Sequence, residues 1–219
     1  EVSGGQDIFL EVNHGPCVLA NNLLLSGRSV FNASNGTLFA HNLLRGFSPT
    51  TARWLPRKTP ILEGHGTKPV VQYDNRTGDD RFFNNIFSAP SSLGFLNAKN
   101  QIPSWMQGNV FTQGTAPSPL EKSPLLAPNF NPKPAIEIRD GQAFLRLASD
   151  PQWAETKRSP VTGELCGKSV VSGLKFENPD GSPIVISTDY FGKKRDASNP
   201  FPGPFETPVN GEIKVWPKH

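Results

Sequence analysis

The segment Asp7-Ile8-Phe9-Leu10-Glu11-Val12-Asn13-His14-Gly15-Pro16 holds the residues best suited to chemistry. It alternates as a strand does, with Ile8 and Leu10 on one face and Phe9, Glu11 and Asn13 on the other, and it ends in a Gly-Pro turn. Glu11 therefore projects from a rigid backbone into whatever groove the surface loops form, as a proton-transferring group would. His14, at the strand end, can hydrogen-bond a sugar hydroxyl or hold a carboxyl group in place. Trp54 and Trp105 offer flat faces that match the apolar C–H face of a pyranose, although core or loop packing is the commoner use of tryptophan. His65 and Trp54 fall in a long insertion, about 47–81, with Arg53, Arg57, Lys58, Lys68, Tyr73 and Asp74. A loop this long inside a compact fold is more often functional than a simple connector.

The elements that must position these residues show a weak internal repeat. Asn21-Asn22-Leu23-Leu24-Leu25 is echoed twenty residues on by His41-Asn42-Leu43-Leu44-Arg45, then by Asn84-Asn85-Ile86-Phe87 and, 24 residues later, by Gly108-Asn109-Val110-Phe111. Such a period with short apolar strands predicts a β-solenoid. Stacked asparagines at one turn can hydrogen-bond from coil to coil, and the apolar pair after each sends one side chain into the bore and the other to the flank. A leucine-rich repeat needs a fuller leucine framework and a helix-forming side, and neither is present.

Residues 115–134 are proline-rich and read as an extended bridge. Beyond it, Ala135-Ile136-Glu137-Ile138-Arg139, the Asp140-Gly141 turn and Ala143-Phe144-Leu145-Arg146-Leu147 form a hairpin signature. Further strands are expected at 168–171, 174–176, 184–188 and 212–216, making a β-sandwich over 135–219. The fold class is therefore all-β: coils over 1–114, a bridge over 115–134, then a sandwich.

Composition narrows the function classes. Hydrophobic residues are 36% of the chain, and 20 Gly and 22 Pro disfavour helical bundles. The net charge of +3 comes with no basic run, so no nucleic-acid surface is expected. No stretch reaches the length of a membrane-spanning helix, and no signal peptide is visible. Cys17 and Cys166 lie far apart without a Cys/His cluster; they are expected as two buried thiols, with no metal site and no cofactor. Three triplets, at Asn32, Asn35 and Asn75, fit the glycosylation pattern. Compartment stays open between cytoplasmic and secreted.

The strings Asp7 to Pro16, Leu19 to Ser26, Phe39-Ala40-His41-Asn42-Leu43-Leu44 and Gly78-Asp79-Asp80-Arg81-Phe82-Phe83-Asn84-Asn85-Ile86-Phe87 resemble the β-helical glycoside hydrolases of the family 120 β-xylosidase type. The resemblance covers roughly residues 7 to 112. It implies the last coils of a right-handed parallel β-helix followed by a β-sandwich, and a bacterial-type enzyme of xylan degradation. It implies Glu11 as the general acid/base and His65 as the family's long-loop histidine, to which the residue chemistry above adds His14 and Trp54 as substrate-binding candidates. The family's long-loop histidine corresponds to His65, whose neighbours Gly64 and Gly66 depart from the usual Pro-His-Ser-Thr. Asp79 matches the Asp of Gly-Asp-x-Arg-Phe and is expected to be structural, with Arg81 pairing Asp79 or Asp80. The family's nucleophilic Asp lies about two dozen residues before the acid/base, so the resemblance implies an upstream segment or partner chain that supplies it. This chain alone is then expected to be inactive.

Two function classes follow. One is a retaining glycosidase component acting on short β-linked oligosaccharides, with homo-oligomers allowed; the other is a non-catalytic carbohydrate-binding or scaffold remnant. A polysaccharide lyase is disfavoured, because no strand face gathers Lys, Arg and acidic calcium ligands.

Overall fold

The computed structural model describes residues 5–11, 13–49, 58–74, 76–89, 92–97, 99 and 101–217 of the 219-residue chain. The structure is almost wholly β, and its first half is built on parallel pairing. A first turn of chain contains β1 (Gln6–Glu11), β2 (Cys17–Ala20) and β3 (Leu23–Leu24). A second contains β4 (Arg28–Ala33), β5 (Thr37–Ala40) and β6 (Leu43–Leu44). A third begins with β7 (Phe47–Pro49) and projects a hairpin, β8 (Lys58–Leu62) and β9 (Pro69–Asp74), before β10 (Arg81–Phe83) and β11 (Ile86–Phe87). Then come β12 (Trp105–Gln107), β13 (Val110–Thr112), β14 (Glu121–Lys122) and β15 (Leu125–Ala127). These strands stack into three parallel sheets, β1-β4-β7, β2-β5-β10-β12-β14 and β3-β6-β11-β13-β15.

The apolar pair in each repeat divides as its alternation requires. Leu24, Leu44, Phe87 and Phe111 turn into the bore, where they meet Phe39, Phe82 and Met106. Leu23, Leu43, Ile86 and Val110 turn outward to the flank. Within the bore, Phe39 stacks on Phe82 with centroids 4.8 Å apart, and Phe87 stacks on Phe111 at 5.4 Å.

Two corner columns hold the coils in register. At one, Asn21, His41, Asn84 and Gly108 all adopt positive φ, which turns the chain and delivers the next asparagine to its ladder position. The Nδ2 of Asn22 donates to Oδ1 of Asn42 at 2.9 Å, Asn42 to Asn85 at 3.0 Å and Asn85 to Asn109 at 3.0 Å. The other corner is glycine. A Cβ on Gly15 (φ +62°) would sit 2.4 Å from the Gly36 carbonyl oxygen, and one on Gly78 (φ +108°) 2.0 Å from that of Ile102, so only glycine lets the coils close there.

The second half departs from the sequence expectation in two ways. The proline-rich stretch is not a bridge, because Glu121 and Leu125 add β14 and β15 to two of the parallel sheets as a further coil. Nor do two sheets form a sandwich. Among the described residues, 135–217 contains one antiparallel sheet, β16 (Ala135–Arg139), β17 (Gln142–Ala148) and β18 (Asn210–Trp216). The strands expected at 168–171, 174–176 and 184–188 are isolated bridges instead. At 184–188 the preceding Pro183 lacks the N–H a ladder needs, while 168–171 and 174–176 meet only through the Lys168–Lys175 bridge.

This half packs as a cover on the coils. Leu145, Leu147, Trp153, Phe205 and Val215 seal the flank of the β3 sheet. Val161, Cys166, Phe176 and Ile184 seal the flank of the β2 sheet over Leu38, Ala40 and Phe83. Arg195 binds the corner column at Asn21 Oδ1, and Arg158 binds it at the Gly108 carbonyl. Cys17 and Cys166 are both free thiols.

Candidate functional site

With two flanks sealed, the third sheet, β1-β4-β7, keeps an outer face that is accessible along β1, whereas Ala33 of β4 is buried. Its inward residues Ile8, Leu10 and Val30 join the bore cluster. The alternation therefore turns Phe9 and Glu11 outward, in register with Phe31 and Ala33 of β4. Glu11 is exposed, and Phe9 is 43% exposed. The Phe9 and Phe31 rings lie 5.0 Å apart, and the Arg28 guanidinium sits 5.2 Å from the Phe31 centroid. An aromatic column thus runs beside the carboxylate, one side-chain step away along the strand, about 6.8 Å.

Past Glu11 the chain enters a cleft of about 490 Å³. Asn13, His14 and Gly15 form its base, the β8–β9 hairpin one wall and residues 174–179 the other. His14 and His65 meet in this cleft, although 51 residues separate them in sequence. His65, at the hairpin tip, places Nε2 3.2 Å from Oε2 of Glu177 and so joins the two walls.

His14 is 5% exposed, and both its ring nitrogens are engaged. The Nδ2 of Asn35 donates to its Nδ1 at 3.1 Å and also to the Arg76 carbonyl, which fixes the amide orientation. The imidazole proton is then on Nε2, which donates to Oγ1 of Thr59 at 2.7 Å. Tyr73 packs edge-on against the ring at 5.5 Å. Burial lowers the His14 pKa, so the ring is neutral at physiological pH. It pins both hairpin strands to the coil, a role sequence alone did not separate from sugar contact.

Beneath the cleft lies a buried ionic knot. Asp79 pairs with Arg81, both at most 2% exposed, while Asp79 Oδ2 accepts from the Val170 N–H at 2.7 Å and the Ser169 hydroxyl at 2.9 Å. Ser169 Oγ also lies 3.2 Å from the His14 carbonyl oxygen. The Arg81 guanidinium sits between Trp105, at 4.3 Å, and Phe176, at 4.9 Å. Trp105 thus has a structural partner on one face. Asp80 is bound separately by Asn32 Nδ2 and the Thr37 N–H, and burial raises its pKa well above the usual carboxylate range.

Of the residues picked out by sequence, Glu11, His14 and His65 fall along this one side of the molecule, while Trp54 lies outside the described residues. Among the described residues, no group of three or more His, Cys, Asp or Glu is placed to hold a metal ion. Asn32 and Asn35 are each 1% exposed with their amides engaged in the interior, so neither is open to glycosylation, and Asn75 lies outside the described residues. Sequence reasoning missed Phe9, Phe31, Asn35, Thr59 and Glu177 as site residues. Only Phe9 carried a local signal, its parity with Glu11.

No known family model matches the sequence. No curated protein sequence matches it either. Among solved structures, one described as the complex of XylC with xylose is similar over 96% of this chain, with a TM-score of 0.88 and 26% identity. The match takes in 38% of the XylC chain, so this chain spans well under half of that protein's length. The fold is thus related to that of a protein solved with xylose bound.

Proposed function

We propose that this chain forms part of a retaining glycoside hydrolase cleaving β-xylosidic or related linkages in short oligosaccharides. The observation that carries the reading is the likeness to xylose-bound XylC along almost the whole chain. On this reading the three sheets are the last coils of a right-handed parallel β-helix, and the sugar lies along the face that bears Glu11. Glu11 is the general acid/base: it protonates the leaving oxygen, then takes a proton from the attacking water. Phe9, backed by Phe31, offers an apolar platform for a sugar ring beside it. His65 lines the adjoining cleft, and His14 holds the cleft wall.

The nucleophile of this reading is an Asp on another coil, from an upstream segment or a partner chain. A retaining pair needs carboxyl groups about 5–5.5 Å apart. On the β4 side, Glu11 faces Ala33. The other edge of β1 ends its sheet among the described residues, and a strand added there would lie about 4.8 Å away.

The same Ala33 register favours a second reading, a carbohydrate-binding protein without turnover. The deciding experiment measures nitrophenol release from nitrophenyl β-xyloside by this chain alone and with any copurifying partner. The hydrolase reading expects turnover in the completed assembly, lowered about 10²–10⁴-fold by Glu11→Gln. Turnover unchanged by Glu11→Gln removes Glu11 from the mechanism. Xylo-oligosaccharide binding with no turnover in either preparation supports the second reading.

A further inference from the structure

Among the described residues the antiparallel sheet ends in the edge strand β16, which carries two exposed isoleucines beside its charged Glu137 and Arg139. Ile136 and Ile138 of β16 are 46% and 76% exposed. They lie on the sheet face whose inner rows, Leu145 and Leu147, are fully buried against the coils. Trp216, 59% exposed, continues the Ile138 row across Ala143. The apolar face therefore overhangs the core it covers.

The hydrogen-bonding direction of the edge follows from the turn. Asp140 and Gly141 have φ of +50° and +72°, a two-residue hairpin turn whose flanking pair, Arg139 and Gln142, exchange hydrogen bonds. Alternation then directs the backbone groups of Glu137 and Ala135 toward β17, and those of Ile136 and Ile138 away from it. A strand added antiparallel to this edge would bond at Ile136 and Ile138.

We infer that the occupant is β16 of a second copy, paired antiparallel about a two-fold axis at Ile138. Residues facing each other across an antiparallel pair share parity, so the axis must pass beside one residue of β16. An axis at Glu137 sets Glu137 against its own copy, like charge on like. An axis at Ile138 sets Glu137 against Arg139 of the other copy, twice, in the closer non-hydrogen-bonded positions, where opposite charges attract. The Ile138 side chains then meet at the centre, and the two Ile136–Ile138–Trp216 overhangs join into one apolar surface. The two sheets become one of six strands, with both β16 edges satisfied. Within one chain, Arg139 Nε lies 3.5 Å from Glu137 Oε1, and its Nη2 reaches Glu212. Its planar fork of five donors can serve the added carboxylate as well.

Charge reversal and light scattering across micromolar concentrations test this at low salt, with the full chain throughout. Wild type should be dimeric. Glu137→Arg and Arg139→Glu should each raise the dimer dissociation constant about tenfold or more, because each places two like pairs across the axis. An equimolar mixture of the two variants should form a heterodimer, since every cross-axis pair is then opposite in sign. Ile138→Pro, which removes the central donor, should be monomeric with unchanged far-ultraviolet circular dichroism. A monomeric wild type, or single reversals that dimerise as well as wild type, would overturn the inference.

Discussion

Glu121 closes the asparagine ladder: its Oε2 accepts from Nδ2 of Asn109 at 2.6 Å, the same bond each asparagine makes to the next coil. Its Oε1 lies 3.3 Å from the Asn109 backbone nitrogen. A carboxylate thus stands where the repeat would have another amide, and burial pushes its pKa up to about 7. Between about pH 4.5 and 7 the folded chain then holds a proton that the unfolded chain has released. Stability must fall as pH rises through this window and level off above it. Glu121→Gln should remove that slope and raise the melting temperature at pH 8 by a few degrees, roughly 1 kcal/mol. Thermal melts of both proteins from pH 4.5 to 8.5 measure it; parallel curves would contradict the account.

The middle of the ladder should be far less tolerant. Asn85 is fully buried and holds both the N–H and the Nδ2 of Asn42 on its Oδ1. Asn85→Ala strands these donors and takes the Nδ2 donor from the Phe39 carbonyl, while Asn109 Oδ1 keeps the residue-85 N–H, and should cost about 2–4 kcal/mol. Urea unfolding gives the figure, and Asn22→Ala in the first coil, half-buried at the ladder's end, should cost less.

His41 occupies the same left-handed corner as Asn21 and Asn84 and is completely buried. Burial, with Arg195 and Arg158 nearby, holds its pKa well below 6.5. The unfolded chain therefore binds this proton first as pH falls below about 6.5, and stability is lost there. His41→Asn, the residue its neighbours use, should shift the acid-unfolding midpoint to lower pH. An unchanged midpoint would clear His41 of any part in acid sensitivity.

Asp79→Ala should be among the most damaging single changes. It leaves Arg81 buried without its carboxylate and releases the Val170 N–H, at a cost of about 3–5 kcal/mol. Because Ser169 touches both Asp79 and the His14 carbonyl, hydrogen exchange should rise in residues 166–170 and in the cleft base together.

Phe9→Ala offers the complementary case. Its ring is exposed and touches Phe31, so stability should change by less than about 1 kcal/mol. If the ring supports a sugar, xylo-oligosaccharide affinity should fall roughly tenfold. Calorimetric titration checks the second, chemical denaturation the first.

How far the sequence was readable depended on how far its signals travel. Asn22, Asn42, Asn85 and Asn109 stood out because a stacked repeat writes the same residue at each turn. Glu121 escaped because it is a different residue only twelve positions after Asn109, within a stretch whose prolines suggested a linker. The parity of Glu11 and Phe9 could be read from strand alternation. The partners of His14 could not, since Asn35 and Thr59 come from the next coil and a projecting hairpin, 21 and 45 residues away. The expected sandwich failed because apolar runs such as 184–188 look like strands, while Pro183 ahead of that run lacks a ladder N–H and only single bridges form.

The division of the coil stack into two sealed flanks and one accessible face separates two kinds of selection. Substitutions under the seal at Leu43, Leu38 or Phe83 can act only through folding, because no ligand reaches them. Substitutions at Phe9, Glu11 or Arg28 act chiefly through whatever docks there, because little of the core depends on them. A variant library scored twice, for abundance and for sugar retention, should therefore split along sheet boundaries. The face where the two scores diverge would mark the working surface without any prior choice of residue.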